Sequence, residues 1–296
     1  STTSSTMLPV LLSACLALRV GPFPPRMCAT PPGAPPPPAA STAAPERWFV
    51  DVPSTFEALA DQACRSAIGA ARQGGHRRLI IEAATPELDP ASDVCRFPEL
   101  VRFGQDVARP LLHSALLPAS KPHVKLLFSS SADATFAGAG ILDTSMPVSI
   151  LGHPNAVGAR DGAFVVIAPC PKERPASALE ADIDQLVQQA AGRLVVLVNP
   201  RIGNTPMLDT FESAYLMRPL SLAYLSDQYA QKIDRVSACV LRCYPHEWSV
   251  LYQSADDWRY AGQFEAQPRP EQLETLLKEV LTRERNEKIR REQSGE

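Results

Sequence analysis

The sequence predicts an α/β protein with three layers, in which helices flank a mostly parallel sheet. A C-terminal antiparallel β-meander and a final amphipathic helix follow that sheet. Short apolar runs bounded by Gly or Pro alternate with segments of helical periodicity, which favours parallel strands joined by helices. The run LVVLV at residues 194–198 is continuously apolar, as in strands buried on both faces. Near the C-terminus, strand-like runs follow one another without helices between them, which favours antiparallel pairing.

Recognisable signals bound most of the predicted helices. The capping boxes STFE at 54–57 and SALE at 177–180 open two of them. Glycines follow both of these helices, and Pro110 weakens another by removing a backbone donor. Pro270 begins the last one. The predicted helices are residues 54–74, 97–117, 177–191 and 270–282.

The predicted strands are short, apolar and flanked by chain breakers. The segment after Thr85 is rich in Pro and Asp and is interpreted as a loop. Several glycines between residues 138 and 158 indicate further loops, with one short strand among them. The predicted strands are residues 78–82, 124–128, 148–151, 162–168, 193–198, 237–244, 248–254 and 258–265.

Composition divides the chain into three segments. Residues 1–45 form a targeting or disordered leader, residues 46–282 a single α/β domain, and residues 283–296 a charged C-terminal tail. No acidic residue precedes Glu46, and this acid-poor, hydroxyl-rich leader is typical of organelle transit peptides. Its apolar stretch at 8–20 is shorter than the roughly 20 residues that span a membrane. The alternatives are the apolar core of a secretory signal and a disordered tail without an address.

Charge and side-chain chemistry exclude several functional classes. A net charge of −3 gives no general attraction for nucleic acid or anionic lipid. The seven cysteines are scattered without a CxxC motif, which indicates reduced thiols and no disulfide framework. The five histidines never fall at metal-ligand spacing. In the charged tail, acidic residues interrupt the basic ones, which favours a solvated helix extension over a nucleic-acid arm.

No motif in the sequence predicts a reaction. The segment AGAG at 137–140 lacks the third glycine of a dinucleotide fingerprint, because position 143 is Asp143. Cys170 follows a predicted strand but has no histidine nearby in sequence, so we interpret it as structural. We therefore predict no catalytic, cofactor-binding or metal-binding residue, and no cofactor.

An aromatic segment near the C-terminus is the candidate for protein interaction. Tyr244, Trp248 and Tyr252 would share one face of a regular strand, although Pro245 interrupts that regularity. The segment is either a core cluster, which we favour for Trp248, or an exposed platform for a partner protein. With Trp248 in the core, Tyr252 and the predicted turn at Asp256 and Asp257 are the expected exposed contacts.

The same segments resemble a plastid and cyanobacterial family formally described as a domain of unknown function. Its members include the plant factor named for low photosystem II accumulation. The most specific matches are FExxYxxxPL at 211–220 and RxYPxxWxV at 242–250, within a resemblance that spans residues 53–281. The apolar strands at 78–82, 124–128 and 195–201 also belong to it. The family commonly has Gly after Tyr-Pro, whereas this chain has His246.

The resemblance implies a non-catalytic auxiliary factor in the plastid stroma or on the stromal face of the thylakoid. Such a factor assists assembly, stability or accessory binding of photosynthetic complexes of the photosystem type. Its expected partners are subunits of thylakoid membrane complexes or other assembly factors, without nucleic acid and with at most peripheral membrane association. The acid-poor leader agrees with a plastid location.

The alternative is a small-molecule- or nucleotide-binding α/β domain or enzyme. Such sheets bind ligands at the carboxyl ends of their strands, which the sequence places near Phe128, Pro169 and the segment 199–201. A pocket there would be lined by Asn199 and Arg201. A filled crevice together with an apolar surface patch would favour the interaction factor instead.

Overall fold

The computed structural model describes residues 51–139, 145–171, 174–203, 205–227, 232–254 and 257–294. These residues form a nine-stranded sheet in the order β3-β2-β4-β5-β1-β6-β7-β8-β9. The strands from β3 to β6 in that order are parallel, and β6 to β9 are antiparallel. The predicted fold class is confirmed. The predicted leader at residues 1–45 lies outside the described residues.

The helices and strands occur in the following order along the chain. They are α1 (Phe56–Arg72), β1 (Arg78–Ala83), α2 (Phe97–Leu112), β2 (His123–Phe128), α3 (Ser131–Gly138), β3 (Val148–Ile150), β4 (Asp161–Ile167), α4 (Ala176–Ala190), β5 (Leu194–Val198), β6 (Glu212–Asp227), β7 (Lys232–Cys243), β8 (Trp248–Ser254), β9 (Asp257–Phe264) and α5 (Pro270–Ser294). Two short 3-10 helices, Pro86–Leu88 and Leu208–Thr210, lie in connections. No helix in this described part has the length and hydropathy to cross a membrane.

Helices cover both faces of the sheet. On the first face, α1 and α2 bury alternate residues of the strands in one apolar cluster. On the second face, α4 and the connection between β5 and β6 cover the parallel strands, while α5 covers the meander. Every residue of β5 is buried, because β5 lies between β4 and β1 with helices on both faces. This confirms the central position predicted for the LVVLV run.

Alanines let α1 lie close to the sheet. Ala63, Ala67 and Ala70 are fully buried along one side of that helix. Thr55 caps its start, since the side-chain oxygen of Thr55 accepts a hydrogen bond from the Ala58 backbone N–H at 3.1 Å. A helix does start at the predicted place, but its N-cap is Thr55, one residue after the Ser54 of the predicted capping box. The short alanine side chains bring the end of α1 near β6 and β7, where the candidate site lies.

Several predicted boundaries were wrong for identifiable reasons. Helix α2 ends at Leu112, short of residue 117, because the backbone N–H and hydroxyl of Ser114 both donate to the Leu111 carbonyl. The second capping box does not cap α4, which begins at Ala176 after Pro175 at the N-cap position. Helix α5 continues through the charged segment to Ser294, which confirms the helix extension preferred for that segment.

Two elements were not predicted. Helix α3 lies within the Gly-rich region interpreted as loops, and its N-cap residue Ser130 accepts a hydrogen bond from the Asp133 N–H. Strand β6 was missed because it contains Pro219, which a central strand would exclude. In the structure β1 pairs with β6 only as far as Met217. Pro219 lies past the end of this pairing, so its missing backbone N–H breaks no hydrogen bond to β1.

Candidate functional site at the amino edge of the sheet

The residues expected to line a ligand pocket at the carboxyl edge instead hold the fold together. Asn199 is fully buried, and its side-chain oxygen accepts a hydrogen bond from the Ala83 N–H at 2.7 Å. Its side-chain amide donates to the carbonyls of Ala83 at 3.1 Å and Leu88 at 2.6 Å. Asn199 also has a φ of 47°, a left-handed conformation that Asn tolerates better than most residues. The side chain is thereby committed to joining β5 to the segment after β1.

The Arg201 side chain is likewise held by hydrogen bonds within the fold. Its guanidinium donates to Glu82 Oε1 at 2.9 Å and to Asp89 Oδ1 at 2.9 Å, and its side chain is 16% exposed. Burial lowers the pKa of the Arg201 guanidinium, but the charges of Glu82 and Asp89 outweigh this effect and raise the pKa above its ordinary value. The expected pocket lined by Asn199 and Arg201 was wrong, because both side chains are consumed by internal hydrogen bonds.

A small crevice does lie elsewhere on the carboxyl edge, between the ends of β2 and β4. The chain leaves β2 toward α3 on the first face and leaves β4 toward α4 on the second, which makes this position a topological switch point. Ser130, Cys170 and Arg174 are among its lining residues, but its volume is only ≈ 50 Å³. Small-molecule sites are about 300–1,000 Å³. Arg174 also forms an ion pair with Asp182 at 2.6 Å.

The larger open concavity lies at the opposite, amino edge of the sheet. It has a volume of ≈ 360 Å³ and lies where the chain enters β1 and β6, which are neighbouring parallel strands. We call it the amino-edge groove; one wall is residues 75–78 and the other is residues 209–212. Its lining residues are Gly75, His76, Arg77, Arg78, Asp209, Thr210, Phe211 and Glu212.

The two walls of the amino-edge groove carry opposite charges. Arg77 and Arg78 are exposed on the first wall, while Asp209 is exposed and Glu212 half-buried on the second. The ion pairs among the described residues include neither of the two arginines nor Asp209. These charged groups are therefore available to a partner that carries both signs.

A group of four side chains, the Arg242 cluster (Glu212, Arg242, Tyr244 and Trp248), supports the second wall. The Arg242 guanidinium donates to Glu212 Oε1 at 3.3 Å and to the Ser213 carbonyl at 3.4 Å. It lies 5.8 Å from the Tyr244 ring centroid and 5.9 Å from the Trp248 ring centroid, within the range of cation–π attraction. One half-buried cation thus joins β6, β7 and β8 beside the groove.

Tyr244 connects the Arg242 cluster to the first wall. Its ring contacts the His76 ring edge-to-face, with centroids 5.8 Å apart. Gly74 permits this approach, because a Cβ at that position would come within 2.5 Å of the Tyr244 hydroxyl. The two most specific segments of the sequence resemblance, 211–220 and 242–250, therefore meet at this groove.

The three aromatic residues predicted to share a face do not do so. Trp248 is 7% exposed and packs with α5 on the second face, as expected for a core residue. Tyr244 packs against the cluster on the first face, because β7 ends at Cys243 and strand alternation no longer applies. The three residues therefore do not form one exposed platform.

Tyr252 was expected to be exposed, and this was wrong, because α5 covers it. It is 4% exposed, and its hydroxyl donates to Glu284 Oε1 at 2.8 Å, which also accepts from Arg259 at 2.9 Å. Burial and the hydrogen bond to Glu284 raise the pKa of Tyr252 to about 12. Asp257 is exposed at the start of β9, whereas Asp256 lies outside the described residues.

Sequence reasoning missed the charged residues of the amino-edge groove. The adjacent arginines at 77–78 precede a predicted strand, but their counterparts at 209–210 precede β6, which was not predicted as a strand. The sequence therefore could not predict that β1 and β6 are neighbouring strands. If β6 had been recognised as the antiparallel partner of the predicted strand β7, the two walls could have been placed side by side.

The described residues contain no group of three or more His, Cys, Asp or Glu side chains placed to hold a metal ion.

The thiols that the fold buries are poor nucleophiles. Burial raises the pKa of Cys64, Cys239 and Cys243 to about 12 each. The arrangement at the amino edge can bind charged and polar groups, and no reactive group is positioned there by a hydrogen-bonded partner among the residues described.

These features define an α/β domain with a closed carboxyl edge and an open, charged groove at its amino edge. Residues 53–275 match a family model described as "Domain of unknown function (DUF1995)". The chain belongs to this family, as the resemblance predicted, and the family description gives no sign of catalysis. No curated protein matches the chain.

Proposed function

We propose that this protein is a non-catalytic auxiliary factor of the plastid stroma that binds protein subunits of photosynthetic thylakoid complexes of the photosystem type. It acts during assembly or maintenance, from the stromal face of the membrane. The proposal rests on the sequence resemblance, the acid-poor leader and the state of the two sheet edges.

The closed carboxyl edge is the observation that carries this proposal. An α/β enzyme or nucleotide-binding domain keeps polar side chains free at that edge to meet its ligand. Here Asn199 and Arg201 are used to join β5 to the segment after β1. The remaining crevice of ≈ 50 Å³ is smaller than any cofactor site in the usual range. This favours recognition of a macromolecule elsewhere on the surface.

Affinity capture from the native cell tests this function. A C-terminally tagged chain is recovered from gently solubilised thylakoids, and the co-purifying proteins are identified. We expect photosystem subunits or assembly factors, recovered reciprocally when a photosystem subunit carries the tag. The protein should also fractionate with plastids. Exclusive recovery outside plastids, or capture without any photosynthetic subunit in either direction, would contradict the proposal.

A further inference from the structure

We propose that the amino-edge groove is the docking site for an extended polypeptide segment that carries both acidic and basic side chains. This inference rests on the proposed function, and it names the surface and the chemistry of the partner. The occupant is a stroma-exposed segment of a membrane-complex subunit, bound with its acidic residues facing Arg77 and Arg78 and its basic residues facing Asp209.

The walls of the groove are held in place before any partner binds. The first wall continues into β1, and the Arg77 carbonyl accepts a hydrogen bond from the Val195 N–H at 2.8 Å. The second wall is anchored by Phe211, which is 7% exposed, and by the ion pair between Arg242 and Glu212. A site whose backbone is already ordered loses less conformational entropy on binding. The groove is thus built as a binding surface with little rearrangement.

The chemistry of the lining selects a polypeptide over a cofactor. Small-molecule sites are enclosed and mainly apolar, whereas this groove exposes Arg77, Arg78, Asp209 and Thr210 at its rim. Arg77 and Arg78 lie on one wall, and Asp209 lies on the other beside Glu212, whose charge Arg242 compensates. A simple anion or cation would meet repulsion on one wall, whereas a chain segment with both charges satisfies both walls. Complementarity of this kind mainly determines specificity and the rate of association.

Charge reversal on each wall tests the docking site. The double variant Arg77→Glu/Arg78→Glu and the single variant Asp209→Lys reverse one wall each, at exposed positions that leave the core untouched. Matched controls are Arg102→Glu/Arg283→Glu, on α2 and α5, and Asp184→Lys, on α4, all at exposed residues outside the groove. Thermal melting should show that all variants fold like the wild type.

Binding is measured to washed thylakoid membranes and, in parallel, to protein-free vesicles of thylakoid lipids. We expect both groove variants to bind thylakoids at least about fivefold more weakly than wild type, with the controls unchanged. Groove variants that bind as well as the wild type would overturn the docking site. Wild-type protein that does not bind thylakoids would overturn the proposed function as well.

The two reversals also distinguish a protein partner from the membrane surface. Anionic lipid would attract the arginines alone, so Asp209→Lys would strengthen binding to lipid, and vesicles would retain the wild-type protein. A segment with both charges requires that Asp209→Lys weakens binding. Stronger binding of Asp209→Lys to both preparations would overturn the polypeptide partner in favour of lipid.

Discussion

Arg242 is the residue that most directly connects packing with the proposed surface. Arg242→Met keeps the aliphatic stem but removes the hydrogen bonds to Glu212 and Ser213. Hydrogen bonds to charged groups contribute about 1.5–3 kcal/mol, so we expect a loss of stability of that order. Urea unfolding measures the free energy of unfolding. The exposed control Arg102→Met should have a free energy of unfolding within about 0.5 kcal/mol of the wild type. Equal stability of the two variants would show that the Arg242 cluster contributes nothing to the fold.

Trp248 tests whether the aromatic segment is core or surface. Because the indole is 7% exposed and packs with Leu276 and Leu277 of α5, Trp248→Ala should cost about 3–5 kcal/mol. Trp258, which is 36% exposed on β9, provides the matched control, and Trp258→Ala should cost less than about 1 kcal/mol. The melting temperature and the affinity for thylakoids should both fall in Trp248→Ala. A fully stable variant that has lost binding would make Trp248 a contact residue.

The buried thiols predict how stability depends on pH. Cys64, Cys239 and Cys243 have pKa values raised from 9.0 to about 12 by burial. Above pH 9 the unfolded thiols lose protons that the folded thiols keep, so stability is full below pH 9 and falls as the pH rises toward 12. Cys239→Ala should flatten this fall when urea unfolding is compared at pH 8 and pH 10.5. An unchanged slope would show that Cys239 is not buried.

At the scale of elements, β5 fixes the arrangement of the parallel strands. Val196 is fully buried in the apolar cluster of the first face, and its strand is paired on both sides, with β4 and with β1. Val196→Asp buries an unpaired charge that costs several kcal/mol, against a total stability of about 5–15 kcal/mol. We expect the variant to be insoluble or to lack a cooperative melting transition. A soluble variant that melts cooperatively would contradict the central position of β5.

The elements that the sequence predicted correctly are those with a local signal. The LVVLV run and the alanine-rich helix follow from periodicity and capping, which depend on neighbours along the chain. Strand β6 has no such signal, because Pro219 opposes a strand and only the position of β1 makes that proline acceptable. The failure of the second capping box has a local cause, since Pro175 already provides an extended N-cap position two residues earlier.

The candidate site could be predicted only in part. The segments 211–220 and 242–250 were singled out as the most specific matches of the resemblance, but their place beside the groove depends on the pairing of β1 with β6. Asn199 and Arg201 were placed correctly at strand ends, yet their partners Glu82, Asp89 and Leu88 are more than a hundred residues away in sequence. Long-range hydrogen bonds of this kind leave no periodic trace in a single sequence.

At the scale of the whole molecule, the two edges of the sheet differ in structure. The carboxyl edge is closed by the side chains of Asn199 and Arg201, and the amino edge carries an open groove with charges of both signs. We propose that this division lets the α/β fold present a surface to a partner at the amino edge. The central claim is that the protein serves photosynthetic complexes by binding their subunits.

Removal of the protein from its native cell tests that claim most directly. Newly synthesised photosystem subunits are pulse-labelled in cells that lack the protein, in complemented cells, and in cells complemented with Arg77→Glu/Arg78→Glu. Labelled complexes are then resolved by native electrophoresis. We predict that assembly intermediates accumulate and mature photosystems decline without the protein, with rescue by the wild type and poor rescue by the variant. Normal labelling and normal photosystem levels in cells without the protein would contradict the account.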